Sequence, residues 1–373
     1  MTPKLTSLRH ARCHAAGVSQ SHPMTSRRVL HRGKAATLLM VLCCGAVSAT
    51  GVTLRGAGAT FPAPLYEAWG TAYALKSGVE VVYEAVGSGQ GLDRLRAGKV
   101  DFGASDAPLT AQELRSEGLV QFPVVVGGVV PIMNVTGIPP GRLRITGHVL
   151  ADVYLGKIRK WNEAPIAALN PDIKLPSANI TVVHRSDPSG SSMLWTDYLS
   201  RSSERWRSEV GASLTPRWPT GVAASGNEGV ASYVERTRFA LGYVEFYYAR
   251  SHGLSDVALR NRDGHFVRAG ADTFRAAANA VEWGSIESMG QLPTDAPGPE
   301  SWPITGASFI LVAGKTGSRE RMREVLRFFD WALHEGESMV HHLEYVPVPR
   351  SVLEQFPGMW RAVRDSEGNP VWP

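Results

Sequence analysis

The chain has 373 residues, of which 43% are hydrophobic and 20% are charged, so it is long enough for one large domain or two ordinary ones. This apolar fraction excludes disorder along the whole chain, and a mean hydropathy of −0.11 excludes a protein with many membrane spans. Seven of the 39 basic residues and none of the 34 acidic residues lie in residues 1–49, which leaves 32 basic against 34 acidic residues for a body with no basic surplus for nucleic acid.

Residues 1–49 have the order of a secretory signal peptide. Basic residues precede an apolar run at 35–49, and the run ends in small residues suited to cleavage after Ala49. Translation from Met24 would leave a signal of ordinary length. The pair Arg27 and Arg28 also leaves the twin-arginine export route open. We therefore predict that the chain is exported and that residues 1–49 are an N-terminal extension and signal.

The three cysteines, Cys13, Cys43 and Cys44, all lie in that N-terminal segment. A body without cysteine has no disulfide and no thiolate metal site. A lipid anchor needs a small residue before the modified cysteine, and Leu42 before Cys43 fits this pattern poorly. The sequence therefore gives weak support to a lipid anchor.

From residue 51 onward, strand-like and helix-like segments alternate, which predicts an α/β fold with a mostly parallel sheet covered by helices. The predicted strands are 79–86, 100–104, 121–134, 180–184, 239–244 and 309–312. Two predicted helices are located by their starts, one near Pro64 and one after a capping box at 110–113. The others are predicted at 92–97, 146–170 with a break around Pro165, 191–199 and 322–333. Residues 290–303 contain four prolines and are predicted to be a connection.

Two glycine-rich loops stand where strands give way to helices, which is where ligands bind in α/β sheets. The loop at 56–62 allows the N–H groups of Thr60 and Phe61 to point outward, although tight turns are a commoner use of glycine. The loop at 87–91 offers the Ser88 hydroxyl and a positive helix end, a general device for binding anions. It has neither the lysine of a Walker A loop nor the glycine spacing of a dinucleotide fingerprint.

Two further loops add charged groups at the same edge of the predicted sheet. Asp106 follows the strand at 100–104, where its alternative role is a helix cap or a turn. Arg185 offers a fork of donors, and Asp187 could hold that fork in place. Ser189 and Ser191 add hydroxyls, with a surface ion pair and a serine cap as the alternative. Many donors with one acidic acceptor suit a tetrahedral oxyanion that carries a proton.

At these residues the sequence resembles the phosphate-binding proteins of phosphate ABC importers, the PstS family. The resemblance runs in order from about Thr53 to the C-terminus. It is carried by the stretches GAGATFPAP at 56–64, VDFGASDAPL at 100–109, YLGKI at 154–158, GYVE at 242–245 and WPIT at 302–305.

The resemblance implies a two-lobed periplasmic binding protein of the type II-like α/β class, with the ligand in a cleft and two hinge crossings. We expect one lobe from residues 50–127 plus 305–373 and the other from 128–304. The resemblance also implies phosphate contacts at Thr60, Phe61, Ser88, Asp106, Arg185, Ser189, Gly190 and Ser191, with Asp187 holding the arginine. Ser191 stands where the family usually has threonine, and Pro188 replaces a glycine, but neither change removes a donor that the site needs.

The expected function is binding of inorganic phosphate in the periplasm and delivery to the permease of an ABC importer. We expect a monomer with no cofactor, no metal, no catalytic residue and no nucleic-acid partner. One alternative is a phosphate-ester hydrolase, but the histidines of the body lack ligand-like spacing to carboxylates, and no base is evident for Ser189 or Ser191. The other alternative is an extracellular interaction protein, or a receptor for another oxyanion, on the same scaffold.

Overall fold

The computed structural model describes residues 51–283 and 293–373, which belong to one compact unit. The predicted signal at 1–49 lies outside the described residues, as do residues 290–292 of the predicted proline-rich connection. None of the helices in the described ranges is long and apolar enough to span a bilayer.

Strands and helices alternate along most of the chain, as the sequence predicts. The strands are β1 (Thr53–Gly58), β2 (Glu80–Ala85), β3 (Phe102–Ser105), β4 (Leu119–Met133), β5 (Arg144–Ile145), β6 (Thr181–Arg185), β7 (Val222–Ala224), β8 (Ala240–Glu245), β9 (Ser255–Asp256), β10 (Ala258–Arg260), β11 (Phe266–Val267) and β12 (Thr305–Ala313). The helices are α1 (Ala63–Ser77), α2 (Ser88–Arg96), α3 (Ala111–Glu117), α4 (Gly147–Tyr154), α5 (Ala164–Ala167), α6 (Gly190–Ser202), α7 (Glu204–Glu209), α8 (Gly226–Arg236), α9 (Phe246–Ser251), α10 (Ala271–Asn279), α11 (Arg319–His334), α12 (Glu337–His342), α13 (Arg350–Leu353) and α14 (Phe356–Trp360).

The long strand β4 runs through both halves of the main sheet, whose order is β2-β1-β3-β12-β4-β8-β6-β7 with β9 beside β4. It pairs with β12 as far as Gly128 and with β8 from Val129 onward. We call the half with β2, β1, β3 and β12 the first lobe, and the half with β8, β6 and β7 the second lobe. The chain returns to the first lobe at β12, where the Val129 N–H donates to the Ile304 carbonyl at 2.9 Å. The lobe boundaries at 127/128 and 304/305 stay a prediction.

The prediction of a mostly parallel sheet holds for β2, β1 and β3 and for β8, β6 and β7, and it is wrong for β12 and β4. β1 is parallel to β2 and β3, and β6 is parallel to β7 and β8. β12 is antiparallel to β3 and β4, and β4 is antiparallel to β8. The reason is that β4 carries the chain out of the first lobe and β12 brings it back, so these two neighbours run in opposite directions.

Helix ends follow local sequence signals in most places. The Thr110 and Glu113 capping box opens α3 as predicted. The prediction that 146–170 is mostly helical with a break around Pro165 is wrong, because only α4 and the single turn α5 are helical there. Pro165 stands in the first turn of α5, where its missing N–H is not needed, and so it starts a helix instead of breaking one.

Aromatic side chains fill the core on both sides of β4. In the first lobe, Tyr66 of α1 packs edge-to-face on Tyr83 of β2, with ring centroids 4.9 Å apart. In the second lobe, Trp195 of α6 stacks on Tyr243 of β8 at 4.7 Å. These contacts hold α1 and α6 against the sheet, which fixes the loops at their N-terminal ends.

Candidate functional site

The predicted site residues lie together where the carboxyl ends of strands from both lobes meet. Thr60 and Phe61 follow β1, Ser88 opens α2, and Asp106 follows β3. Arg185 ends β6, and Ser189 is the N-cap of α6 in the second lobe. All eight predicted contact residues and Asp187 are buried.

The first turns of α2 and α6 touch each other across the two lobes. The Ser88 Oγ accepts the N–H of Gly190 at 3.1 Å and that of Asp106 at 3.3 Å. The Gly89 N–H donates to the Pro188 carbonyl at 3.2 Å. Because the first N–H groups of a helix have no partner inside the helix, two positive helix ends face one small volume. This geometry is that of an anion site.

Arg185 is held in one orientation by Asp187. Its Nε donates to Asp187 Oδ1 at 2.8 Å, and its Nη2 donates to the other carboxylate oxygen. Gly226 N–H also donates to Asp187 Oδ1 at 3.0 Å. Burial alone would raise the pKa of Asp187, but the hydrogen bonds and charge of Arg185 outweigh burial and lower it. The guanidinium of Arg185 is therefore fixed at two of its nitrogens.

Three polar atoms of the predicted contact residues are buried and have no hydrogen-bond partner among residues 51–283 and 293–373. They are Asp106 Oδ1, Arg185 Nη1 and Ser191 Oγ. An unpartnered buried donor or acceptor costs about 1–3 kcal/mol, more when charged, so three together are unexpected in a structural core. They provide an acceptor, a cationic donor and a hydroxyl from two different lobes.

Asp106 has an unusual protonation equilibrium. Burial raises its pKa to about 7, although the Ser308 hydroxyl and the Arg185 charge both oppose the rise. Ser308 Oγ lies near enough to act on the carboxyl, but its geometry falls short of a hydrogen bond. The carboxyl therefore changes between acceptor and donor close to neutral pH.

A second set of buried polar residues supports the loop after β1, and the sequence analysis assigned none of them to the site. Asn227 of α8 donates through Nδ2 to Thr60 Oγ1 at 2.8 Å, and Tyr248 of α9 donates its hydroxyl to the Thr60 carbonyl at 2.8 Å. The Tyr345 hydroxyl lies 2.7 Å from the Phe61 carbonyl and 3.0 Å from Glu245 Oε2. Burial raises the pKa of Glu245 well above its ordinary value.

A sequence signal for one of these residues did exist. Residues 226–229 contain two glycines, Gly226 and Gly229, on either side of Asn227, and they form the start of α8 just after β7. The predicted glycine-rich loops likewise lie between the end of a strand and the start of a helix. Strand β7 has only three residues, which is too short for an alternating pattern that would predict a strand.

A protein site for a metal ion needs a cluster of His, Cys, Asp or Glu side chains. Over 51–283 and 293–373, no group of three or more His, Cys, Asp or Glu side chains is placed to hold a metal ion. The donor set described above is instead one for an anion.

Comparison with known proteins gives a consistent result. A family model described as PBP superfamily domain matches residues 45–334. Phosphate-binding protein PstS of Pasteurella multocida is 42% identical over 341 residues, covering 91% of this chain and 99% of that protein. The Haemophilus influenzae protein of the same name is 43% identical and covers 83% of this chain and 92% of its own length.

Solved structures show the same fold. A high-affinity periplasmic phosphate-binding protein bound with phosphate at pH 8.5 has a TM-score of 0.64 at 19% identity, covering 82% of this chain and 93% of its own. An ancestral soluble variant of the human phosphate-binding protein has a TM-score of 0.65 at 20% identity, with the same coverage. The expected class, a two-lobed periplasmic binding protein, is confirmed. The family model matches most of this chain, and relatives above 40% identity cover 83–91% of it. The chain therefore belongs to the PstS family of phosphate-binding proteins within the PBP superfamily.

Proposed function

We propose that this protein binds inorganic phosphate between its lobes and delivers it to the membrane permease of an ABC importer. The observation that carries the proposal is the set of three unpartnered buried atoms, Asp106 Oδ1, Arg185 Nη1 and Ser191 Oγ. A protonated tetrahedral oxyanion needs mostly donors and one acceptor, and this set supplies both. The names of the relatives, phosphate-binding protein PstS, support the same ligand.

The contact residues proposed for phosphate are those expected from the sequence. Arg185 supplies the positive charge, and ionised Asp106 accepts a hydrogen bond from the hydroxyl of the phosphate. The other donors are the hydroxyls or N–H groups of Thr60, Phe61, Ser88, Ser189, Gly190 and Ser191. Asp187 has no proposed contact with phosphate and holds Arg185 in place.

A binding role without catalysis is part of the proposal. A phosphate-ester hydrolase that uses a serine nucleophile needs a base to activate it. Ser191 Oγ has no hydrogen-bond partner among the described residues, and Ser189 Oγ accepts the Ser192 N–H at 3.1 Å as a helix cap. His184 is the ring nearest in sequence, and it stacks on Trp218 at 4.8 Å. We therefore favour a receptor that releases its ligand unchanged.

The cellular setting is proposed from the family and from the N-terminal sequence. Export through the signal at 1–49 would place the protein in the periplasm, where it would meet the permease as a monomer. Analytical ultracentrifugation with and without phosphate tests the monomer, since a dimer in either state contradicts it.

Isothermal titration calorimetry of the purified protein with phosphate tests the main proposal. We expect saturable binding of one phosphate per chain and no hydrolysis of a chromogenic phosphate ester. Absence of phosphate binding would contradict the function, and turnover of the ester would favour the hydrolase.

Gly190→Ala is expected to weaken phosphate binding at least about tenfold without unfolding either lobe. A Cβ on Gly190 would lie 2.6 Å from Asp106 Cβ and 2.7 Å from Ser88 Oγ, closer than real Cβ contacts. Since both neighbours belong to the other lobe, the methyl group prevents the lobes from meeting, but it has room when they separate. Small-angle scattering with saturating phosphate should show a more extended particle for the variant than for the wild type. Identical profiles and equal affinity would contradict this account of lobe closure.

A further inference from the structure

We infer that Asn227 is a positioning residue that commits the Thr60 hydroxyl to donate its hydrogen to the bound anion. The inference rests on the proposed function, because it assigns a role within the phosphate site. Asn227 belongs to the second lobe and is fully buried, whereas Thr60 belongs to the first lobe.

The orientation of the Asn227 amide follows from a group that can only donate. The backbone N–H of Glu245 lies 3.0 Å from Asn227 Oδ1. If the amide were turned over, its NH₂ would face this N–H, and two donors would meet. The oxygen therefore faces Glu245, and the NH₂ group faces Thr60.

The Thr60 hydroxyl then has its acceptor positions filled. Its Oγ1 lies 2.8 Å from Asn227 Nδ2 and 3.3 Å from the Asn227 backbone nitrogen. A hydroxyl has two lone pairs and one hydrogen, so two incoming N–H groups leave only the hydrogen for another partner. A hydroxyl on its own could equally well accept; in this geometry it can only donate.

This arrangement exists only when the two lobes are together, because both N–H groups come from the second lobe. The carbonyl of Thr60 is also held from the second lobe, by the Tyr248 hydroxyl at 2.8 Å. Closure thus does more than cover the ligand. It sets which way the Thr60 hydrogen points, and it favours ligands whose oxygen at that place is unprotonated.

A double-mutant cycle separates this role from a merely structural one. Asn227→Ala should weaken phosphate binding about tenfold, the effect of losing one well-oriented hydrogen bond. In a Thr60→Val background, where the hydroxyl is already gone, Asn227→Ala should change the affinity less than about twofold. In a Thr60→Ser background, which keeps the hydroxyl, the tenfold effect should return. Equal losses in the valine and serine backgrounds would overturn the inference.

Asn134→Ala is the matched control. Asn134 Nδ2 donates to the Val234 and Glu235 carbonyls, at 3.0 and 2.7 Å, at the opposite end of the helix that Asn227 opens. This variant should lower the melting temperature and leave phosphate affinity unchanged. A tenfold loss of affinity in Asn134→Ala would mean that any weakening of α8 affects binding, and the inference would fail.

Asn227→Asp keeps the experiment decisive if the alanine variant does not fold. The carboxylate has the same shape and still accepts the Glu245 N–H, but its second oxygen accepts the Thr60 hydrogen. We expect a larger loss of phosphate affinity than the tenfold of the alanine change, and wild-type affinity would overturn the inference. Wild-type protein that binds no phosphate contradicts the proposed function itself, whereas additive losses in the cycle contradict only the role of Asn227.

Discussion

Asp106→Asn is expected to let the protein bind sulfate about a hundredfold more tightly than the wild type does at pH 9, two units above the Asp106 pKa of about 7, with less than about tenfold loss for phosphate. Phosphate near neutral pH carries at least one proton, and sulfate carries none. An ionised Asp106 accepts a hydrogen bond from the phosphate hydroxyl, but it meets only lone pairs on sulfate. Asparagine keeps a carbonyl acceptor, removes the charge and adds a donor, and charged hydrogen bonds contribute about 1.5–3 kcal/mol. Competition of the two anions at fixed pH and ionic strength measures the change.

The pH dependence of sulfate binding checks the cause. Because burial raises the pKa of Asp106 to about 7, the carboxyl keeps its proton below pH 7 and can donate it to sulfate. Wild-type affinity for sulfate should therefore be greatest below pH 7 and fall about tenfold for each pH unit above it. The asparagine variant should show no such fall. If the wild type binds sulfate as tightly as phosphate at pH 8, Asp106 is only a turn residue.

The raised pKa of Asp106 also makes the stability of the phosphate-free protein depend on pH. In the unfolded chain an aspartate loses its proton near pH 4, whereas buried Asp106 holds it until about pH 7. Native stability therefore falls between pH 4 and pH 7, by up to about 4 kcal/mol for three units. Asp106→Asn removes this cost, so urea unfolding should show the variant more stable at pH 8 and equal to the wild type at pH 4. A constant difference at both pH values would contradict the raised pKa.

Arg185→Ala is expected to weaken phosphate binding by roughly ten- to a hundredfold. The guanidinium is the only one assigned to the site, and its Nη1 has no hydrogen-bond partner within the described part of the chain. A charged hydrogen bond contributes about 1.5–3 kcal/mol, which corresponds to that range of affinity. The change also leaves Asp187 buried without its partner charge, and this repels the anion further. Calorimetry with phosphate at pH 8 measures the loss.

Asp187→Asn is the control for the roles given to the two residues. The amide oxygen still accepts from Arg185 Nε, so the guanidinium loses only part of its support and keeps its charge. We expect a smaller loss of phosphate affinity than in Arg185→Ala. If the asparagine change is the more damaging, Asp187 is the contact residue and Arg185 its support.

Much of the candidate site could be predicted because it follows a rule that is local in sequence. Ser88, Asp106 and Arg185 each stand just after a strand or at its end, and the carboxyl ends of parallel strands share one edge of a sheet. The strands themselves were visible as β-branched runs, and α11 was visible as a regular apolar stripe. The family resemblance added which of the loop atoms contact phosphate.

The residues behind the site could not be predicted in this way. Tyr345 reaches the Phe61 carbonyl from a part of the chain with neither helix nor strand, across 284 positions of sequence. Asn227 follows a three-residue strand, and Glu245 is buried beside Tyr345, a residue 100 positions away in sequence. The failure at 146–170 has a different cause, since proline in a first turn and proline in a helix interior look alike in sequence.

The position of β12 determines the order in which the protein can fold. This strand lies between β3 and β4, and it pairs Ile310 with Ala104 on one side and with Phe122 on the other. Pairings between residues so distant in sequence form slowly, because a long loop must close before any contact stabilises it. Until residues 305–313 are available, β3 and β4 each expose an unpaired edge, which is a site for misassociation. The lobe that contains the first strands of the body is therefore the last to be completed, and a chain truncated before Thr305 has no native first lobe.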